Sequence, residues 1–472
     1  MGNLEKIYFI NAGKNGTFAE SGQHHTTPAD VDELFKYLAT KDIEKLIIYF
    51  HGGLVSETDG MAAAGLMKST FASPGSKRHM VTFVWETGPM ETVSQNLDDL
   101  KKLAAKELFK EALKFVIKIV AKKLGMEDAR GGGEYLSDET ILDEKSKIAP
   151  FEDLDKVMSA KGGGGFTLDE DNEDEFYARL EVESQILINA EGSDELKNPP
   201  DDTEEVAKGG LLAVAVVVAK IAFAVLKRYY NRSHHDFYPT VMEEAFRKLY
   251  VDKIGAWGWA RMKEKAGEMF SDNENRTGND LHAGTYFLEG LNNHYLQRLA
   301  AGKKFEIELI GHSAGSIVIC NMLDSSVSHY NKLCYNNVFF LAPACRTDYF
   351  LSKGKPAMDQ GHVKKFKLFT MKQENEKKDH CIPYVYTHSL LYMVSGLFEI
   401  PDTDAKIMGI HEQSSAGGRY ANFPELNVLK AFIGSNQLVL SDDVTNPDVS
   451  MRSNSFKHGD FDNDPVTLKS IL

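Results

Sequence analysis

Ser313 is the residue in this chain whose surroundings best suit it to nucleophilic chemistry. It sits in Gly311-His-Ser-Ala-Gly315, between an apolar run at 305–310 and an apolar stretch opening at Ser316. Strand, tight turn, helix is the context that a G-x-S-x-G nucleophile elbow needs. Glycines flank the serine because side chains there would strike the neighbouring strand or helix. The serine Oγ is then held clear of the sheet at a helix N-terminus, whose dipole favours a developing oxyanion. A second element fits the same chemistry. His51-Gly-Gly-Leu54 follows directly on the apolar run 46–50, where a backbone N–H can approach a substrate carbonyl oxygen. The donors expected for an oxyanion hole are the N–H of Gly53 or Leu54 and that of Ala314, each worth about 3 kcal/mol in a transition state.

The elements that must position these groups read as an α/β fold with a mostly parallel sheet. Strands are expected at 7–10, 46–50, 81–85, 305–310, 338–341, 366–369 and 438–440, the continuous apolar runs marking strands buried on both faces. Thr27-Pro28 supplies an N-cap and a first-turn proline for a helix reaching Leu38. Helices are also expected at 60–70, 281–300 and 465–471. The alternation stops near residue 96 and resumes near 280. The chain therefore divides into a first core part (1–95), a helical, partly disordered insertion (96–279) and a second core part (280–472). Within the insertion, 97–124 reads as a long lysine-rich amphipathic helix, and a further helix opens at Pro239-Thr240. The stretch 127–201 is acidic and glycine-rich and is expected to be largely mobile. The most apolar segment, 210–226, reads as a buried helix, with a lid over the substrate entrance as the second reading and a membrane-contacting element as the third.

Composition narrows the field. With 472 residues, 42% of them hydrophobic, the chain can bury a large core. A net charge of −15 argues against nucleic acid as a partner, since a phosphate backbone wants a basic face, and against general adhesion to anionic lipid, although a local basic patch could still provide that. Cys320, Cys334, Cys345 and Cys381 are too sparse for a disulfide scaffold and suit a reducing compartment. Residues 1–10 show neither a secretory signal nor a myristoylation pattern, since Lys6 stands where Ser or Thr is needed, so a cytoplasmic location is expected. The acidic run at 169–175 lacks EF-hand spacing, His24-His25 and His234-His235 lack zinc-spaced partners, and Gly13-Lys-Asn-Gly16 is not a phosphate-binding loop. No metal and no cofactor are expected.

Five stretches together carry a family likeness: His51-Gly-Gly-Leu-Val-Ser-Glu57, Phe83-Val-Trp-Glu86, Ile310-Gly-His-Ser-Ala-Gly315, Phe340-Leu-Ala-Pro-Ala344 and His458-Gly-Asp-Phe-Asp-Asn-Asp464. The chain resembles α/β-hydrolase-fold serine hydrolases, in particular a group of bacterial α/β hydrolases without a settled substrate. The resemblance covers both ends of the chain and is thin across 127–207. It implies a central sheet carrying a helical cap or lid, and the chain order nucleophile, acid, histidine. Asp379, shortly before Pro383, fits the family pattern for the acid, with Asp348, Glu374 and Glu376 as alternatives. His458 fits the histidine, with His411 as its rival. The implied activity is cleavage of a carboxylic ester, small or lipid-like, through an acyl-enzyme. The same groups would serve a peptidase or amidase, and a non-enzymatic scaffold with an interacting insertion is the third reading. Residues of 210–226, with Trp257 or Trp259, are expected to form an apolar wall beside the nucleophile, and long acyl chains are expected to be preferred. The oligomeric state stays open.

Overall fold

Two apolar runs separated by most of the chain, 46–50 and 307–310, lie side by side at the centre of one sheet. The computed structural model describes residues 4–53, 55–72, 75–85, 100–125, 135–147, 149–153, 155–156, 172–194, 210–250 and 256–472. In chain order the principal elements are β1 Phe9–Ala12, α1 Pro28–Thr40, β2 Lys45–Phe50, α2 Glu57–Phe71, β3 Arg78–Trp85, α3 Glu107–Lys123, α4 Asp138–Ser146, α5 Glu173–Glu191, α6 Gly210–Tyr230, α7 Phe237–Tyr250 and α8 Ala256–Glu268. They continue with α9 Ala283–Ala300, β4 Glu306–His312, α10 Gly315–His329, β5 Tyr335–Leu341, β6 Val363–Thr370, α11 Pro424–Gln437, β7 Leu438–Leu440 and α12 Pro465–Ser470.

The seven strands form one parallel sheet in the order β1-β3-β2-β4-β5-β6-β7, flanked by helices. Strand β2 pairs with β4 from Lys45 opposite Glu306 to Phe50 opposite Gly311. Leu46 to Phe50 are all buried, as a strand covered on both faces requires. Because every strand runs the same way, their C-terminal ends share one edge, and His51 and Ser313 both lie there. Local signals place the helices. Thr27 and Asp30 form a capping box at the start of α1, with Pro28 in its first turn. Ser56 caps α2 by accepting a hydrogen bond from the Asp59 N–H at 3.0 Å.

The chain divides into two compact units, Met1–Val93 with Trp257–Glu376 and Lys406–Leu472, and Ser94–Ala256 with Lys377–Ala405. The whole sheet belongs to the first. These bounds differ from those read in the sequence. Residues 257–279 group with the sheet, and Lys377–Ala405 leaves it for the second unit.

The second unit is built on α6. Val214, Val218, Ile221, Ala222, Val225 and Leu226 are buried, and α3, α5 and α7 pack against the helix. Three amphipathic neighbours thus cover a helix that is apolar nearly all round. The expectation of a largely mobile stretch at 127–201 is corrected for two segments, since α4 and α5 are helical. Leu180, Ser184, Leu187 and Ile188 of α5 are buried at helical spacing, and Glu173, Asp174 and Glu175 occupy its first turn, where the helix dipole favours acidic groups. The helix expected at 97–124 is interrupted. Residues 100–105 are helical, Lys106 takes ψ 134°, which breaks the helical backbone, and α3 begins at Glu107. Residues 97–99 lie outside the described residues. Among the described residues no helix is long and apolar enough to cross a membrane.

Candidate active site

Ser313 has a backbone φ of +50°, in the left-handed region that a residue with a Cβ adopts only under constraint. The constraint is visible. The Ser313 N–H donates to Leu341 O at 2.9 Å, and Ser313 O accepts from Ala344 N at 3.1 Å and from Ser316 Oγ at 2.6 Å. The turn therefore leans on the end of β5, where Ala342 also has a positive φ of 40°. Both glycines of the motif are sterically required. A Cβ on Gly315 would lie 2.2 Å from Phe50 O, and one on Gly311 would lie 2.7 Å from Ile319 Cδ1.

His458 meets the serine from the C-terminal end of the chain. Its Nε2 lies 2.9 Å from Ser313 Oγ, and both side chains are buried. Ser313 and His458, nominated separately from the sequence, are thus in hydrogen-bond contact across 145 positions.

The Gly52-Gly53 loop faces the same serine. A Cβ on Gly52 would lie 3.2 Å from Ser313 Cβ, and one on Gly53 would lie 3.0 Å from Ala314 Cβ and 2.5 Å from Met262 Sδ. His51 pins the loop. Its Nδ1–H donates to Gly52 O at 2.7 Å, while its Nε2 accepts from the Trp85 N–H at 3.2 Å. One neutral tautomer satisfies both bonds. A trans peptide sets its C=O and the next N–H on opposite sides, so anchoring Gly52 O also fixes the direction of the Gly53 N–H. Neither the Gly53 N–H nor the Ala314 N–H donates to an acceptor among the described residues. Leu54, the other oxyanion candidate, lies outside them.

The carboxylate of this cluster is Asp462, four residues beyond the histidine. Its Oδ2 is 3.3 Å from His312 Nδ1 and accepts from Tyr49 OH at 2.7 Å. His312 Nε2 in turn donates to His458 O at 3.0 Å. Both ring nitrogens of His312 thus face oxygen atoms, an arrangement that favours its protonated form. Burial opposes that charge, but Asp462 outweighs it and His312 titrates above its ordinary value. Burial likewise opposes the charge on Asp462, and His312 with Tyr49 outweighs it, leaving the carboxyl well below the usual range. His458 is pushed down to about 3 by burial and then by the His312 charge, with Asp462 working the other way.

The acid nominated from the sequence, Asp379, lies in the second unit. There it helps burial, the larger cause, push the Cys381 thiol up to about 12. Asp348 is engaged by the Arg346 guanidinium at 2.8 and 3.0 Å. Glu374 and Glu376 sit on a short helix, Gln373–Glu376, and Glu376 is buried. His411 opens another short helix, His411–Ser414. Trp259 is buried in the first unit, while the side chain of Trp257 lies outside the described residues. Sequence reasoning missed His312, Asp462, Tyr49 and His51 as members of the cluster. Three of them stood inside motifs already singled out, His51 at the head of His51-Gly-Gly-Leu54, His312 within the elbow and Asp462 within His458-Gly-Asp-Phe-Asp462. Among the described residues no group of His, Cys, Asp and Glu could hold a metal ion.

Burial of the neutral histidines makes stability depend on pH. His51 is pushed down to about 4, chiefly by burial, and His458 to about 3, from 6.5. Below 6.5 the unfolded chain binds protons that the folded chain refuses. Each residue's stabilising contribution is therefore complete above 6.5 and lost as pH falls toward the folded value. The expected slope is about 1.4 kcal/mol per pH unit for each histidine between pH 6 and pH 4. His312, displaced upward, loses its contribution only as pH rises through its folded value, outside that window. Urea unfolding of the protein and of His51→Asn across pH 4–7 measures this, and the variant should show the shallower slope.

No protein-family model, no curated protein and no solved structure matches the chain.

Proposed function

We propose that this protein is a serine hydrolase of α/β-hydrolase type that cleaves a carboxylic ester through an acyl-enzyme on Ser313. The observation that carries the reading is the left-handed serine at the sheet's C-terminal edge with its Oγ 2.9 Å from His458 Nε2. In this mechanism His458, neutral because it is buried, takes the Ser313 proton as Oγ attacks the ester carbonyl. The carbonyl oxygen becomes an oxyanion between the Gly53 and Ala314 N–H groups. His458, now an imidazolium, returns the proton to the leaving alkoxide. Water then repeats the sequence and releases the acid. Asp462 is the carboxylate whose charge offsets the imidazolium, with His312 fixed between the acid and the His458 main chain. A cytoplasmic setting suits the four free cysteines.

The test is labelling of the full-length protein with a fluorophosphonate probe, followed by p-nitrophenyl esters of increasing chain length. The expected result is stoichiometric labelling that maps to Ser313 and turnover of at least one ester. Absence of labelling with the protein folded would remove the hydrolase reading. A rate that rises from acetate to octanoate would support a lipid-like substrate, and a peak at acetate would leave a small ester.

A further inference from the structure

The second unit carries a pocket of about 800 Å³ whose lining is cationic in a chain of net charge −15. Lys220, Lys227 and Arg228 come from α6, Arg247 and Lys248 from α7, and Ile400, Pro401 and Thr403 from the segment returning along the same unit. The carboxylate in the lining is Glu244. What matters is which of the five cations are already neutralised.

Arg228 is. It is buried and bonds Glu243 and, at 3.4 Å, Glu244, so its single charge is more than matched by the two carboxylates of the floor. Lys227 is too, since its Nζ holds both oxygens of Glu173 at 2.8 and 2.9 Å. The other three differ. Arg247 donates Nε to Gly396 O at 2.8 Å and its terminal nitrogens to the main-chain oxygens of Pro401 and Asp402. Those bonds orient the guanidinium without cancelling its charge. Lys220 and Lys248 are exposed and form no ion pair among the described residues.

Like charges gathered round a concavity repel one another and concentrate anions there. A volume of about 800 Å³ lies in the range of small-molecule sites and far exceeds a lone inorganic phosphate. Phe223 and Ala224, three and four residues beyond Lys220, share its face of α6, and Ile400 and Pro401 stand in the same lining. The lining thus combines compact ammonium charges, one oriented guanidinium and an apolar wall. Lysine binds phosphate as a point charge, and arginine as a fork.

We propose that this pocket binds an organic phosphate carrying at least two negative charges. The phosphates would lie on Lys220, Lys248 and Arg247, and the carbon skeleton on Phe223 and Pro401. The proposal is independent of Ser313. A soluble metabolite and a phosphorylated lipid headgroup present the same chemistry.

The experiment uses the full-length protein at ~150 mM salt, where exposed charges act only over about 8 Å. Calorimetric titration with ADP and with fructose 1,6-bisphosphate tests the soluble source. Cosedimentation with phosphatidylcholine vesicles containing phosphatidylinositol 4-phosphate tests the lipid source. Saturable binding in either arm is expected, weakened at least about tenfold in the double variant Lys220→Glu, Lys248→Glu. Both side chains point to solvent, so the variant's circular dichroism should match the parent. The control is Lys364→Glu, Lys365→Glu, two exposed lysines of β6, which should bind within about twofold of the parent. Binding in the titration arm identifies a soluble ligand, and binding to vesicles alone identifies a headgroup. Absence of binding in both arms, or equal loss in the two double variants, overturns the proposal.

Discussion

Ser313→Ala is expected to lower ester turnover by about 10⁴-fold or more while leaving the protein folded, because the atom that bonds the substrate carbonyl is gone. Alanine keeps the Cβ and every main-chain bond of the turn, so unfolding cannot be the cause of the loss. A stronger form of the prediction uses His458→Ala. The 2.9 Å contact makes serine and histidine one proton-transfer unit. Without the histidine the hydroxyl is a poor nucleophile, and without the serine the histidine has nothing to activate. The two single variants and the double variant should therefore lose activity by nearly the same factor. If the two losses instead multiply, the residues act separately and the proposed mechanism fails. Fluorophosphonate labelling should vanish in Ser313→Ala, and labelling that survives there would place the nucleophile elsewhere.

The second large effect is expected at Asp462. Asp462→Asn should reduce kcat by about 10²–10⁴-fold, whereas Asp379→Asn should stay within about threefold. The carboxylate is bonded to His312 and Tyr49 and its charge acts on His458. Removing it takes away the charge that favours protonation of His458 and the contact that seats His312 against the His458 main chain. Titration adds a readout that mere loosening of the fold would not reproduce. In the parent, Asp462 holds His312 above its ordinary value against burial. In Asp462→Asn burial is left in charge, so His312 should titrate below 6.5. His51, Tyr49 and His458 are the other titratable groups facing it, and none of them supplies a replacement anion near neutral pH. Carbon-attached proton resonances of His312, followed from pH 5 to 9, would show the shift. Full activity in Asp462→Asn together with a large loss in Asp379→Asn would return the acid to the second unit.

These two carboxylates show where sequence reasoning reaches its limit. The elbow was legible because its signature is local. Gly311, Ser313 and Gly315 form a pattern contained within five residues, although the atoms that require the glycines come from Ile319 and Phe50, and the apolar runs on either side announce strand and helix. The N-cap at Thr27 and the runs that became β2, β3 and β4 are local in the same sense. His458 could be nominated because the resemblance placed a histidine near the end of the chain. The carboxylate beside His312 could not be found that way. Chain order put the acid before the histidine, whereas Asp462 follows His458 by four positions, and its pairing with His312 depends on how a C-terminal turn meets the end of β4. Similarly, no feature of residues 257–268 announces that Met262 lies against Gly53, since that contact joins elements some two hundred positions apart. Composition also misled. The acidic text before α5 drew attention away from Leu180, Ser184, Leu187 and Ile188, whose helical spacing was in plain view.

The pairing of β2 with β4 has a consequence for how the chain reaches this structure. The central pair cannot form until a stretch running from Phe50 to Glu306 has been gathered in, and until then the β1-β3-β2 and β4-β5-β6-β7 halves of the sheet stay apart. Long-range pairing of this kind slows folding far more than it alters stability, since the entropy of closing a loop grows only with the logarithm of its length. Helices α3 and α5 to α7, by contrast, meet one another within a shorter span and can condense first. The kinetic record should therefore contain an intermediate in which helix content is largely recovered while Trp85, at the end of β3, still reports solvent. Until β4 arrives, the apolar edge of β2 is an unpaired template, and the time spent in that state will set how readily the protein aggregates during refolding.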